Sequence, residues 1–331
     1  MSKGNGSVII TGVLGQDGSY LAEHLVGSGY EVYGVYRRIS SGTNFEIVDS
    51  IRGNSKFHLM EGDVCDYPFM NSLIGDVKPD KFFSLAAQSH VGLSFKIPLE
   101  TFRVDAEAVM AQLEGIRKNS SHTRFYFAGT SELWGGMGCP TTGFTEESPF
   151  YPRSPYAVAK AAAFYATRNY REAYGLYACS GILCNHSSIR RPEDFATRKI
   201  TRGVAKVKLG LEESLKMGNM EAYRDEGCSK DFVRAMDIML NQRVPGDYVC
   251  ATGETATIRE MLEYVCSLAD LDYWDVYEAD ERYLRPSDVP YLLGNPSKLK
   301  RDTGWSPEYD WKMLLKEMYE YDLEDLKKGM K

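Results

Sequence analysis

At 331 residues, 43% hydrophobic, 26% charged and 12% aromatic, the chain has a globular composition and exceeds the roughly 250–300 residues at which one core stops growing, so a large domain with a smaller companion is expected. Its 39 basic against 46 acidic side chains, net −7, exclude a general binder of nucleic acid or anionic membrane and leave local basic clusters to serve small anions. No apolar run approaches the ~20 residues of a bilayer span, residues 1–7 lack the apolar segment of a signal peptide, and the seven cysteines and five histidines show neither disulfide-framework nor metal-ligand spacing, so a cytoplasmic, metal-free protein is expected.

In chain order, residues 7–11 form a short apolar run suited to a buried parallel strand, followed by Gly12, Gly15 and Gly18 and then a helical pattern over 20–26. Strand, glycine-rich turn and helix make a phosphate cradle. Gly12 permits the tight turn, Gly15 lets backbone approach a pyrophosphate, and Gly18 lets helix and strand pack closely, with the anion at the helix N-terminus. A second strand, 31–36, ends without the acidic residue that would hold a ribose 2′-hydroxyl. Arg37 and Arg38 stand there instead, and guanidinium suits a 2′-phosphate, so NADP is expected over NAD. A third strand runs from 56 to Asp63, which is placed to meet an adenine edge. A fourth, from 81, leads into a small-residue turn ending at Ser89 and His90.

Residues 123–128 read as another strand, and the residues beyond it, Thr130, Ser131 and Glu132, project into the crevice where doubly wound sheets bind ligands. Ser154 and Pro155 then open a run of good helix formers that sets Tyr156 and Lys160 four apart, on one helix face. A phenol beside an ammonium group ionises more easily, because positive charge favours the phenolate, so Tyr156 is a candidate base for a hydroxyl proton. Further strands are expected over 177–183 and 246–252, the latter rejoining the first sheet. Amphipathic helices are expected over 258–268 and 311–326.

Gly-x-x-Gly-x-x-Gly, Thr-Ser-Glu after a central strand, and Tyr-x-x-x-Lys together resemble the extended short-chain dehydrogenase/reductase family. More narrowly, residues 11–23, 87–91, 130–133, 150–156, 181–186 and 197–200 resemble its GDP-mannose 4,6-dehydratases. The resemblance implies a Rossmann-like α/β fold, a doubly wound parallel sheet with a smaller discontinuous α/β substrate domain. Residues 1–185 plus about 226–255 would bind NADP, and about 186–225 plus 256–331 the nucleotide sugar. It implies oxidation at C4, elimination of water across C5 and C6, and hydride return to C6, with Tyr156, Lys160, Thr130 and Ser131 serving C4 and Glu132 serving as acid/base for the elimination.

Cofactor contacts are then expected from Gly12, Gly15, Gln16, Asp17, Gly18, Arg37, Arg38, Asp63, Val64, Leu85, Ala86, Ala87, Tyr156, Lys160, His186 and Arg191. Substrate contacts are expected from Ser89, Glu132, Asn185, Lys199, Arg224, Arg285 and Asp288. A homo-oligomer, dimer or tetramer, is implied, with Arg37, Arg38 and the Ser40-Ser41 loop reaching a neighbour's cofactor. Departures cluster near the expected sugar pocket. Glu226-Gly227-Cys228 stand where the family has Trp-Gly-His, Ser187-Ser188-Ile189 replace Glu-Ser-Pro, Trp134 replaces a tyrosine, and Asp288 replaces a glutamate. GDP-mannose is the first expected substrate and a GDP-manno-heptose the second. A 4-keto-sugar reductase, a nucleotide-sugar epimerase and a catalytically silent NADP-binding scaffold compete with the dehydratase on the same fold.

Overall fold

Seven parallel strands carry the fold: β1 (Ser7–Thr11), β2 (Glu31–Tyr36), β3 (Phe57–Glu61), β4 (Lys81–Ser84), β5 (Arg124–Ala128), β6 (Ala178–Leu183) and β7 (Asp247–Cys250). The computed structural model describes residues 5–39, 42–284 and 287–330. The sheet order is β3-β2-β1-β4-β5-β6-β7, so the winding reverses between β1 and β4 and opens a crevice beyond their carboxyl ends. There the Thr11 hydroxyl accepts from the Leu85 and Ala86 amides at 3.1 and 3.2 Å, tying the two strand ends together. As expected from its apolar run, β7 pairs in parallel with β6.

Both faces of the sheet are covered, which is why its strands read as apolar runs rather than alternations. On one face Phe82, Phe125, Phe127 and Ile182 pack under helices α2 (Tyr67–Val77), α3 (Ala108–Asn119) and α4 (Pro155–Tyr174). On the other, Val8, Ile10, Phe83 and Tyr126 pack under α1 (Gln16–Gly27) and helix Ser229–Leu240. Helix α4 follows from its sequence. Ser154 accepts from Ala157 N at 3.1 Å, Pro155 occupies the first turn, and Gly175 ends the helix at φ 67°.

A second apolar cluster lies apart from the sheet. Ile200 and Val204 of helix Ala196–Lys208 meet Met261, Leu262 and Val265 of Ile258–Leu268, and Leu315 and Tyr319 of Trp311–Gly329. Ile258–Leu268 starts with a reciprocal cap between Thr257 and Glu260. Beyond β6 a short strand, Asn185–Ser187, pairs in parallel with Glu226–Cys228.

Candidate active site

The glycine turn is compact. Gly12 has φ 73°, a Cβ on it would stand 2.9 Å from Ala86 Cα, and a Cβ on Gly18 would stand 2.2 Å from the Gly12 carbonyl oxygen. Gly15 starts helix Gln16–Gly27 with no side-chain cap, leaving first-turn N–H groups available to an anion. The side chains of Gln16 and Asp17 are engaged elsewhere. Asp17 accepts from His186 Nε2 at 2.8 Å and from Ser229, His186 Nδ1 donates to Cys184 O at 2.8 Å, and Gln16 accepts from Ser188 at 2.9 Å. Burial opposes the charge on Asp17, but the charge and hydrogen bond of His186 outweigh it and hold its carboxyl at about 2. Burial favours the neutral ring of His186, yet Asp17 raises its pKa. The pair is an imidazolium–carboxylate latch, and the His186 ring, stacked on Phe232 at 4.4 Å, has no nitrogen left for a ligand.

Arg37 and Asp63, read separately as contacts for phosphate and adenine, form an ion pair at 3.6 Å. Val64 beside them is buried. Arg38 lines a cleft of about 480 Å³ with Tyr36, Gly42, Phe45 and Glu61, so a carboxylate shares the place expected to receive a 2′-phosphate. Ser40 and Ser41 lie outside the described residues. Leu85, Ala86 and Ala87 are half-buried and Ser89 is exposed.

Strand β5 delivers the catalytic candidates. Beyond Ala128, Thr130 caps the single turn Ser131–Leu133, accepting from Glu132 N at 3.3 Å, and lies near enough to Tyr156 to favour its anion. Tyr156 and Lys160 are both buried. Lys160 donates to Ala128 O at 2.9 Å, and its Nζ lies 5.8 Å from the centre of the Tyr156 ring. Tyr156 does not ionise more easily as expected. Burial and then the charge of Asp105 push its pKa well up, Thr130 and Arg191 oppose this, and Glu132 is near enough to add to it. Burial also pushes Lys160 down, against the charge of Asp105. The correction has a physical reason: helix spacing reports proximity, whereas a buried phenol loses the hydration of its anion.

Two buried carboxylates complete the neighbourhood: Asp105, which was not singled out from the sequence, and Glu226, which was read there only as a family departure. Asp105 is 0% exposed and has one oxygen without a partner. Glu226 faces Asn185 across the short strand pair, and its Oε1 has no hydrogen-bond partner. Arg191 joins this neighbourhood: its Nε is buried without a hydrogen bond, and its charge acts on Tyr156, Asp17, His186 and Glu226.

Among the expected substrate contacts, Asn185 is half-buried at the start of its strand. The Lys199 Nζ is buried without a hydrogen bond and sits 3.1 Å from the centre of the Tyr283 ring, at a cleft of about 530 Å³ also lined by Arg202, Lys206, Lys216 and Glu278. Arg224 donates to the Tyr223 and Val289 carbonyls, each at 2.8 Å, and pairs with Asp288 at 3.4 Å. Arg285 lies outside the described residues. Neither cleft is lined by Tyr156 or Glu132. Among the described residues no three His, Cys, Asp or Glu side chains group to hold a metal, and no helix is long and apolar enough to cross a membrane.

A sequence profile described as GDP-mannose 4,6 dehydratase matches residues 9–318. The chain is 45% identical to GDP-mannose 4,6 dehydratase 1 of Arabidopsis thaliana, covering 96% of this chain and 89% of that one. It is 44% identical to GDP-mannose 4,6-dehydratase of Vibrio cholerae, covering 96% and 93%. Among solved structures it resembles UDP-glucose 4-epimerase with UDP-glucose from Thermotoga maritima (TM-score 0.85, 23% identity, 98% and 100% covered). It also resembles dTDP-glucose 4,6-dehydratase in complex with NAD from Bacillus anthracis (TM-score 0.84, 21% identity, 98% and 99% covered). At these identities the structures show the fold alone.

Proposed function

The chain belongs to the GDP-mannose 4,6-dehydratase family, and from that premise we propose that it converts GDP-mannose to GDP-4-keto-6-deoxymannose with NADP recycled inside each turnover. A nicotinamide dinucleotide fits the residues present, because a Cβ on Gly12 or Gly18 would fill the turn and the uncapped helix start offers N–H donors. Gly12, Gly15 and Gly18 would hold the pyrophosphate, Arg37 and Arg38 the 2′-phosphate, and Asp63 the adenine edge. Arg191 offers a buried donor toward the nicotinamide end. When bound, the cofactor supplies a hydride acceptor that serves as donor later in the same cycle.

The chain's own groups handle the protons. Thr130 holds the C4 oxygen, with Ser131 assisting, and Tyr156, its anion supported by the positive charge of Lys160, takes the C4 hydroxyl proton. The new ketone acidifies C5–H. Glu132 takes that proton and delivers one to the departing C6 hydroxyl, which leaves as water. Asn185 and the guanidiniums of Arg224 and Arg285 would hold the sugar diphosphate, Lys199 would face the nucleotide, and Ser89 and Asp288 would complete the substrate contacts. We assign cofactor binding to residues 1–185 plus about 226–255 and sugar binding to about 186–225 plus 256–331. Cytoplasmic placement and a homo-oligomer complete the proposal, the first supported by seven free cysteines.

The observation that carries this proposal is the meeting of Thr130, Glu132 and Tyr156 at the end of β5, where the charge of Glu132 is felt by the phenol. The same reaction on a GDP-manno-heptose is a second reading favoured by one observation: the family departures Ser187 and Glu226 lie on the two paired short strands, with Glu226 opposite Asn185.

Purified protein given GDP-mannose and catalytic NADP is expected to form a 4-keto-6-deoxy product with no net gain in absorbance at 340 nm. Steady NADPH consumption with a 4-keto sugar, and no dehydration, marks a reductase instead. A panel of GDP-, UDP-, CDP- and dTDP-sugars that includes the heptose ranks the substrates.

A further inference from the structure

Between helix Pro98–Phe102 and α3 the backbone widens into a single π-type turn, Arg103–Glu107, a distortion that costs regular hydrogen bonding and recurs at functional sites. The turn carries Asp105 inward. Its carboxylate is fully buried, Oδ1 accepts from Gln88 N at 2.7 Å, and Oδ2 has no hydrogen-bond partner. A buried carboxylate with one oxygen unpaired is costly unless a cation lies close.

The surrounding charges identify that cation. From α4, Lys160 is the charge that acts on Asp105, and Asp105 is the charge that acts on Lys160. From the turn after β4 only the Gln88 amide reaches it. The other charged residues of its own turn are engaged elsewhere, Glu107 with Tyr67 and Arg103 near Cys65. Tyr156 in turn is faced by Asp105, Thr130, Glu132 and Arg191. Lys160 otherwise meets the Ala128 carbonyl and the rings of Phe127 and Tyr156.

We propose that Asp105 is a positioning residue of the dehydration reaction, the buried counter-charge that keeps Lys160 protonated and so sets the pH window in which Tyr156 exchanges its proton. The proposal rests on the assignment of Tyr156 and Lys160 under the proposed function. Burial lowers the pKa of Lys160, and the charge of Asp105 opposes that shift. The same negative charge hinders the Tyr156 phenolate. Asp105 therefore moves both groups in one direction, and its own carboxyl is pushed by burial up to about 6 against the charge of Lys160.

In Asp105→Asn the charge is lost while a side-chain oxygen can still accept from Gln88 N. Both limbs of the kcat–pH profile, measured with GDP-mannose and NADP, are expected to move toward acid by about 1 unit, the ordinary effect of one near charge. Cofactor binding, followed by tryptophan fluorescence, should stay within about twofold. Should Asp105→Asn fail to fold, Asp105→Ser, which also removes the charge and leaves a small acceptor for Gln88, must show the same displacement. A lowered kcat with both limbs unmoved, in either variant, overturns the proposal. Full turnover by Tyr156→Phe would instead overturn the proposed function on which it stands.

Discussion

In the proposed mechanism Glu132 is the side chain on which dehydration and simple redox chemistry part. It follows Thr130 in the turn after β5, half-buried, with its backbone N–H donating to the Thr130 hydroxyl. Glu132→Gln keeps volume and hydrogen bonding but cannot take the C5 proton. In that variant kcat for dehydration is expected to fall by about 10²–10⁴, the usual contribution of a positioned acid/base. A burst at 340 nm of up to one reduced cofactor per site should appear as oxidation proceeds without elimination. Undiminished product formation would remove Glu132 from the mechanism. Tyr156, Lys160 and the Thr130–Glu132 run were legible because a cap, a helical spacing and a strand end are local signals. The direction of the Tyr156 shift was not legible. It comes from burial and from Asp105, fifty-one residues upstream (156 − 105) on a different helix, and neither can be read from the spacing around Tyr156.

At the scale of elements, helix Gln16–Gly27 is latched to the strand Asn185–Ser187 and to helix Ser229–Leu240. Asp17 meets His186 and Ser229, Gln16 meets Ser188, and Arg190 pairs with Glu23 at 2.8 Å while lying over Tyr20. The glycine turn and its helix were legible from their residue types. The latch was not, because a three-residue strand has too little periodicity to identify and its partners lie some 170 residues away. The latch has a signed pH dependence. The folded pKa of Asp17 is depressed to about 2, so its contribution is present above the unfolded value near ~4 and is lost as pH falls through about 2. The folded pKa of His186 is raised, so its contribution is full below ~6.5 and is lost as pH rises through the folded value. The pair should therefore stabilise most between roughly pH 4 and 6.5. His186→Gln leaves a half-buried carboxylate without its cation, a cost of about 1–3 kcal/mol. The stability gap to the unsubstituted protein, from urea unfolding, is expected to be widest near pH 5–6 and to narrow toward pH 9. A gap that is flat across that range rules out the charged latch.

Across the whole molecule, the chain leaves the sheet after β6, returns for β7, and leaves again, so the cluster around Ile200, Met261 and Leu315 is assembled from separated segments. The alternation of strands and helices made the sheet legible. The way in which the outlying layer is fastened depends on single polar atoms and was not. Asp231, at the start of helix Ser229–Leu240, accepts from the Glu308 and Tyr309 amides at 2.9 and 3.0 Å, and its carbonyl accepts from Trp305 Nε1 at 3.0 Å. Lys230 pairs with Glu317 at 2.6 Å, and Cys228 packs with Leu314 and Met318. The opposite face of the same helix belongs to the sheet core, with His24 and Asp237 joined at 3.2 Å across it. A helix shared in this way makes separate melting of the two layers costly, because freeing the outlying layer exposes apolar surface and strands buried polar groups on the other. With tryptophan replaced by 5-fluorotryptophan, the ¹⁹F signals of Trp134 and Trp305, in the sheet layers, and of Trp311, against the outlying cluster, are expected to lose native intensity at one midpoint. GDP at a hundred times its Kd adds about 2.7 kcal/mol to the folded state, and it should raise all three midpoints together by a few degrees. If the Trp311 signal melts first, or if GDP shifts it alone, the two layers are thermodynamically separate units and the shared helix is not what couples them.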